Sequence, residues 1–544
     1  MIGRKINLSE QIKITIMDKN GKNTAELCHH KKRTLLHTLR EGGLVLPSLC
    51  NGLGKCGRCL VRFRGYEPFP SQADRTAIAP DKLRDGYRLA CTARPVKDCT
   101  VETFFSQERK LEVVTASYVS DVQSSADSRE MSGKKHGEES RFFAGKENRL
   151  YIGKEGSGSV VKAAAAVDIG TTTIAIQMIE TKTGHILDTY TCFNPQRSYG
   201  ADVISRIQAD AGGNGEVLQR LVREALAAGI GQMKERADIR IPYQMEYMVV
   251  SANTAMGHLF MGYPAESLGK YPFTPVNIKT VSLDFLQVPA VLVPGISAFV
   301  GGDIVSGLYA CGLCCREMGG TWLFLDLGTN AEMVMGNGNR VVCTAAAAGP
   351  AFEGRGRDGA TGPERIAAIA ALLEKGIADS TGLLAEPYFE TGIAVETGEG
   401  GTETAGEKVW ISQEDIRNIQ MAKAAVRTGI HFLMEHLGVK EYDEIEKVYV
   451  AGGFGFYLDK RAAAITGLIP FELEEKIETV GNTSLAGARL LGKEMLAACD
   501  SKRKTANLEV MEKLEEFADR AEVFQLAEEQ GFEKIYVDYL NFGK

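Results

Sequence analysis

The sequence predicts a multidomain protein in which a small α+β unit is followed by a polar connector and a larger, two-part α/β region. Three observations carry this. The first hundred residues alternate apolar and polar positions with period two and hold a single stretch of helical spacing. A run beginning near Thr115, SYVSDVQSSADSREMSGKKHGEESRFFAGKENRLYIGKEGSGS, is charged and rich in Ser and Gly. Beyond it, one strand–turn–strand pattern occurs twice, as AAAAVDIGTTTIAIQMI and TWLFLDLGTNAEMVM. A chain of 544 residues has room for about two to four domains.

In the first unit, QIKITIMDKNGKNTAEL reads as a hairpin around Lys19-Asn20-Gly21-Lys22. KKRTLLHTLREGG follows with helical spacing and a closing Gly pair. A strand (CLVRFRG), an irregular Pro-rich stretch, YRLACTARP and a last strand near CTVETFF complete a small mixed sheet crossed by one helix, the β-grasp arrangement. The connector cannot bury enough apolar surface to order by itself, so a flexible linker is expected. Regular signals resume at Val160, where β-branched runs begin to alternate with helical segments, as in α/β layers. Residues 390–408 read as a surface loop, and ANLEVMEKLEEFADRAEVF as a helix.

Composition excludes several classes of function. The net charge of −7 gives no basic footprint, so nucleic acid is not expected as a partner. No run reaches about 18 consecutive apolar residues, and MIGRKINLSEQIKI lacks the apolar core of a signal peptide. A cytoplasmic protein with no membrane partner is expected. Twelve cysteines then fit metal ligands and buried thiols rather than disulfides.

Cys50, Cys56 and Cys59 stand as C-x5-C-x2-C inside LPSLCNGLGKCGRC, with Cys91 far downstream. Four thiolates, three of them from one tight loop, are what a [2Fe–2S] ferredoxin centre takes. Gly52, Gly54 and Gly57 let the loop turn its N–H groups toward the cluster sulfurs. Cys99 competes for the fourth place, but the LACTARP context favours Cys91.

In the second region, Asp168-Ile-Gly170-Thr171-Thr172-Thr173 and Asp326-Leu-Gly328-Thr329-Asn330 each follow an apolar strand. Such a Gly/Thr hairpin offers backbone N–H and hydroxyl donors to phosphate, while an Asp at the strand end can hold hydrated Mg²⁺. KVYVAGGFGFYLD adds a strand running into Gly452-Gly453-Phe454, a turn that lets backbone approach a nucleoside. Together the three resemble the actin/Hsp70/sugar-kinase (RNase H-like) ATPases, whose two similar lobes close over ATP. That resemblance implies Asp168 and Asp326 as catalytic residues flanking Mg²⁺ and the attacking water. It implies Gly170, Thr171, Thr172, Thr173, Gly328, Thr329 and Asn330 around the phosphates, and Gly452, Gly453 and Phe454 beside adenosine. Glu332 reads equally well as a group orienting water and as an exposed hairpin residue.

The whole order, ferredoxin unit, linker and two-lobed ATPase, resembles the reductive activators of corrinoid proteins. NPQRSYGADVISRI, GHLFMGYPAESL, ISAFVGGDIVSGL, AAAAGPAFEG, GGFGFYLDKRAAAITGLIP, GNTSLAGA and the closing FEKIYVDYLNFGK carry that resemblance. It implies a ferredoxin domain at 10–108, a linker at 109–162 and ATPase subdomains at 163–320 and 321–544. It further implies one [2Fe–2S] cluster on Cys50, Cys56, Cys59 and Cys91, ATP with Mg²⁺, an upstream electron donor and a corrinoid protein partner. The implied activity is ATP-dependent transfer of one electron to Co(II), regenerating Co(I) in a methyltransferase or O-demethylase system. A homodimer is expected from the family alone. Two other readings stay open: an ATP-driven activator of another low-potential enzyme, and a redox-regulated small-molecule kinase.

The remaining candidates have simpler readings. Cys311, Cys314 and Cys315 fall at i, i+3 and i+4, where packing on a helix explains them better than a second metal site. Cys28, Cys192, Cys343 and Cys499 read as core thiols, and His29 and His30 as a solvated turn. A packing role is expected for His258. Arg355 and Arg357 read either as contacts to nucleotide or partner acids, or as part of a Gly-rich surface loop.

Overall fold

The computed structural model describes residues 11–18, 23–41, 46, 54, 57, 59–103, 115, 160–237, 242–314, 319–338, 340–352, 360–396, 408–497 and 506–543. The turn at 19–22, Cys50, Cys56, Cys315, Arg355, Arg357, Cys499 and almost all of the 109–162 linker lie outside them.

The first unit contains β1 (Gln11–Met17), β2 (Asn23–His30), α1 (Leu35–Glu41), β3 (Leu60–Arg64), α2 (Gln72–Ala77), α3 (Pro80–Arg84), β4 (Tyr87–Leu89) and β5 (Cys99–Thr103). Its five-stranded sheet runs β2-β1-β5-β3-β4. β1 pairs antiparallel with β2 and parallel with β5. Alternation turns Ile12, Ile14 and Ile16 of β1 inward, and Ile14 and Ile16 share a core with Leu35, Leu36 and Leu39 of α1. This is the mixed sheet with one crossing helix that the residue pattern predicts.

Three local expectations are corrected. The Pro-rich stretch is not irregular throughout: Ser71 and Asp74 form a capping box that starts α2, and Pro80 starts α3. Cys28 is exposed rather than a core thiol, because it falls on the outward side of strand β2. His29 is not on a solvated turn. The strand continues to His30, and His29 is fully buried with Nδ1 2.6 Å from Thr38 Oγ1.

Burial lowers the His29 pKa to about 4, from 6.5. Above pH 6.5 the imidazole is neutral in both states, so no stability is lost. As pH falls from 6.5 through 4, the unfolded chain takes the proton first, and stability of the unit declines. His29→Gln is expected to flatten that decline in an acid-unfolding titration. An unchanged slope would assign it to other groups.

The second region begins with β6 (Val161–Ile169), β7 (Thr173–Glu180), β8 (Ile186–Phe193), α4 (Val203–Ala209), α5 (Gly215–Ala237), β9 (Tyr243–Ala252), α6 (Thr254–Met261), β10 (Val281–Phe285), β11 (Val288–Leu292) and α7 (Gly302–Ala310). Then come β12 (Thr321–Leu327), β13 (Ala331–Asn337), β14 (Arg340–Ala346), α8 (Gly362–Glu374), α9 (Tyr388–Thr391), β15 (Ile393–Glu396), β16 (Lys408–Ile411), α10 (Gln413–Leu437) and β17 (Ile445–Ala451). The chain closes with α11 (Gly452–Phe456), α12 (Lys460–Ile465), β18 (Ile477–Gly481), α13 (Thr483–Ala497), α14 (Ala506–Arg520), β19 (Glu522–Val523) and α15 (Phe532–Asp538).

Two six-stranded sheets form, ordered β10-β11-β9-β6-β7-β8 and β18-β17-β12-β13-β14-β19. Each has three antiparallel strands followed by two parallel ones: β8-β7-β6 with β9 and β11, and β14-β13-β12 with β17 and β18. The repeated turn motif thus belongs to a repeated sheet. β6 and β12 occupy the same place in each, paired on both sides, which is why both read as nearly unbroken apolar runs.

The layer between the sheets is a shared core that includes Val249, Val305, Phe324, Tyr449, Leu485 and Leu514. Helix α13 crosses back to lie against β6, β7 and β9, and α7 packs on it. A Cβ on Gly487 of α13 would stand 2.0 Å from the Ser306 carbonyl oxygen of α7, so only glycine permits this crossing.

Two further expectations shift. Part of 390–408 is strand rather than loop, since Ile393–Glu396 pairs antiparallel with Lys408–Ile411. Cys311 and Cys314 do not share a helical face. α7 ends at Ala310, where Gly312 turns left-handed and Leu313 N–H bonds back to Leu308. Among the described residues, no helix is long and apolar enough to cross a membrane.

Candidate functional site

Asp168 and Asp326 stand one residue before the ends of β6 and β12, both half-buried. The Asp168 carboxylate accepts from Asn482 Nδ2 at 3.0 Å and from Ser484 Oγ at 2.8 Å. Ser484 Oγ also lies 2.9 Å from Ser251 Oγ, at the end of β9. Because Ser484 lies in the first turn of α13, the helix start is tied to the end of β6. Desolvation nonetheless outweighs these bonds and raises the Asp168 pKa.

Asp326 stands level with Glu332 of β13 and Ala451 of β17. Asp303, in the first turn of α7, comes within Coulombic reach of both strand-end aspartates. Burial first, then Asp326, then Asp168, push its pKa up to about 8. Glu332 is raised well above the usual range by burial and by Asp303 and Asp326. Four carboxyl groups thus converge where the two sheets face each other. They cannot all ionise cheaply, and among the described residues no three of these side chains stand close enough together to hold a metal ion by themselves, so a cation here would need oxygens from a bound phosphate as well.

Around them lie the two glycine hairpins. In the first, Gly170 N–H bonds to Thr173 O at 2.9 Å, and Asn253 Nδ2 donates to Thr171 Oγ1 at 3.1 Å. In the second, Gly328 N–H bonds to Asn330 O at 2.8 Å. Gly170, Thr171, Thr172, Thr173, Gly328, Thr329 and Asn330 are all half-buried, neither packed away nor fully exposed.

The third turn closes on the same acids. Gly452 has φ +81°, and a Cβ there would stand 2.6 Å from Asp326 Oδ1. Backbone at Gly452 therefore closes directly on the Asp326 carboxylate. The Phe454 ring does not, since it packs into the core 4.6 Å from the Phe352 ring.

At the N-terminal unit, Cys59 and Cys91 are buried side by side. A hydrogen bond between their thiols is the main cause lowering the Cys59 pKa to about 7. Asp74 fixes this segment: its carboxylate accepts from Ser71 N–H at 2.6 Å, completing the capping box of α2, and also from Leu89 N–H at 2.7 Å and Thr92 Oγ1 at 3.3 Å. Gly54 and Gly57 adopt left-handed φ of +74° and +66°. Cys99 is elsewhere in the core, its thiol pushed up to about 12 by burial and Asp98. A buried thiol pair in which Cys59 ionises readily, beside a glycine-turned loop, fits a thiolate-ligated cluster.

His258 is buried, with Nδ1 2.8 Å from the Thr254 carbonyl and Nε2 accepting from Val276 N–H at 3.0 Å. Both ring nitrogens are committed to backbone, a packing role. Sequence reasoning missed Asp303, Asn482 and Ser484 as members of the site. Each lay inside a motif, GGDIVSGL or GNTSLAGA, that had been noted without a role.

Comparison with known proteins bears on the same architecture. Residues 17–96 match the 2Fe-2S iron-sulfur cluster binding domain, 163–316 the RACo middle region, and 320–359 with 356–544 the C-terminal domain of RACo, the ASKHA domain. The corrinoid activation enzyme RamQ of Eubacterium limosum is 30% identical over 412 residues, covering 63% of this chain and 67% of that protein. The chain belongs to the RACo family, the reductive activators of corrinoid proteins.

Another relative of this activator is the [Co(II) methylated amine-specific corrinoid protein] reductase of Methanosarcina barkeri. It is 26% identical over 382 residues, covering 60% of this chain and 69% of that protein. The fold of the activator is also that of a solved structure, a reductive activator for corrinoid, iron-sulfur protein. The match has a TM-score of 0.59 at 23% identity and covers 98% of each chain.

Proposed function

We propose that this protein reactivates a corrinoid protein by delivering one electron to Co(II), restoring Co(I), with nucleotide turnover in the cleft between its two sheets. The single observation that carries the reading is the convergence of Asp168, Asp303, Asp326 and Glu332 between two equivalent sheets, in a chain that also pairs Cys59 with Cys91.

Residues 10–108 would form the electron-carrying domain and 109–162 the linker. Residues 163–320 and 321–544 would supply the two halves of the ATPase, with α13 crossing to the first sheet. Cys50, Cys56, Cys59 and Cys91 would hold a [2Fe–2S] cluster, which when bound supplies one electron at a time. The chain contributes a buried thiol pair there, held in place by Asp74 on the 89–92 segment.

In the ATPase, Asp168 and Asp326 would sit on either side of Mg²⁺ and the attacking water. Asp303, in its ionised form, would take the proton of that water. Gly170 to Thr173 and Gly328 to Asn330 would donate to phosphate, and the backbone at Gly452 and Gly453 would border the nucleoside. Because the acids come from both sheets, nucleotide draws the two lobes together, and each nucleotide state can hold the partner differently.

The test measures ATP consumption against Co(II) corrinoid proteins and against a panel of sugars and small acids. Acceleration by a Co(II) corrinoid protein alone is expected. Acceleration by a sugar or acid, with phosphorylated product, would replace the reading by a small-molecule kinase.

A further inference from the structure

The first glycine hairpin presents one side to the cleft, and its carbonyl side is tied down from behind. Asn194 Nδ2 donates to Gly170 O at 2.9 Å, and Asn194 N–H to Thr172 O at 2.9 Å. The carbonyl between them, Thr171 O, accepts from an Nη of Arg206. All three carbonyls of Gly170-Thr171-Thr172 therefore point away from the cleft. This leaves N–H groups and hydroxyls as the side an anion can meet.

Arg206 is an unusual residue to find in that position. It lies in α4, fully buried. Nε donates to Gly200 O at 2.9 Å, and Nη1 lies 3.5 Å from Gln196 Oε1 and 3.0 Å from Met256 Sδ. Burial and the charge of Arg197 both work against its protonated form, and Asp202 only partly offsets them. The Asp202 carboxylate is itself occupied as the cap of α4, accepting from Ser205 N–H at 2.7 Å. Among the described residues, no carboxylate stands within hydrogen-bonding distance of the guanidinium. A buried cation without an anionic partner is costly, a cost that an anion arriving with a ligand would offset. The position directly behind the phosphate hairpin supplies such an anion.

We infer that Arg206 is a positioning residue for polyphosphate: it holds the Thr171 carbonyl back, so that the hairpin donors face the phosphates, and its charge answers theirs through the hairpin. This deepens the ATPase reading above and rests on it. Nucleotide selectivity would then depend on Arg206 in proportion to phosphate charge, while recognition of the nucleoside at Gly452 and Gly453 would not.

The experiment titrates ATP, ADP and adenosine into the full-length wild-type chain, Arg206→Gln and Arg206→Lys, by calorimetry. Arg206→Gln is expected to weaken ATP by about 10- to 100-fold, the size typical of removing a group that orients binding ligands. Adenosine, which carries no phosphate, should change by less than about twofold, under about 0.4 kcal/mol, with ADP between. Arg206→Lys keeps the charge without the fork and should recover part of the ATP loss. A structural role alone would weaken ATP and adenosine together, or lower the melting temperature with ATP affinity intact; either result overturns the inference. If Arg206→Gln does not fold, the ATP-to-adenosine ratio in Arg206→Lys decides: an unchanged ratio counts against it. Wild-type protein that fails to bind ATP would instead remove the ATPase reading itself.

Discussion

Asp326→Asn should lower ATP turnover by about 10²- to 10³-fold, the loss typical of removing one electrostatic contact to a reacting centre, without lowering the melting temperature of the nucleotide-free protein. The two halves of this expectation come from one cause. Asp326 contributes to raising the pKa of both Asp303 and Glu332, so its charge is a source of repulsion in the empty cleft. Asparagine keeps the shape and removes the repulsion, as is common where a site is built for a ligand rather than for stability. Turnover and thermal unfolding measured on the same preparation check both. Full turnover would show that the acids do not form the hydrolytic site. Lost turnover with a lowered melting temperature would mark fold damage instead.

The second large effect is expected at the cysteines. Cys91→Ser should abolish the visible absorbance of the cluster and, with it, electron delivery. A serine cannot replace the thiolate that pairs with Cys59. Cys99→Ser should retain the cluster and lose only stability, by about 1–3 kcal/mol for a hydroxyl placed in an apolar site. The Cys99 thiol is held near 12 by burial, which makes it a poor ligand. Iron content and denaturant unfolding of the two variants separate these outcomes. Loss of the cluster in Cys99→Ser with retention in Cys91→Ser would reverse the ligand assignment.

Much of this architecture was legible in the residues because its signals are local. The strands β6 and β12 are apolar runs ending in Asp-x-Gly-Thr, and both formed as read. The β1–β2 hairpin and α1 followed from alternation and helical spacing. What stayed hidden depends on contacts far apart in the chain. Asn482 and Ser484 meet Asp168 only because α13 crosses back to the first sheet. Asp303 lies in the first turn of α7 and comes within reach of Asp168 and Asp326 only because the fold sets that helix beside both strand ends. His29 and Cys28, adjacent in sequence, took opposite fates because one strand residue faces the core and the next faces out. Phe454 belongs to the turn that the sequence suggests for adenosine, yet its ring packs in the core against Phe352. In each case burial, decided at the tertiary level, overrode a local reading.

The central claim is that nucleotide in the cleft governs electron delivery to cobalt. It is tested most directly by stopped-flow spectroscopy of the chemically reduced protein mixed with a Co(II) corrinoid protein, with and without ATP and Mg²⁺, under one fixed reductant. Co(I) absorbance is expected to appear with ATP and to stay near baseline without it. Asp326→Asn should follow the ATP-free trace. Equal rates of Co(I) formation with and without ATP in the wild-type protein would contradict the account.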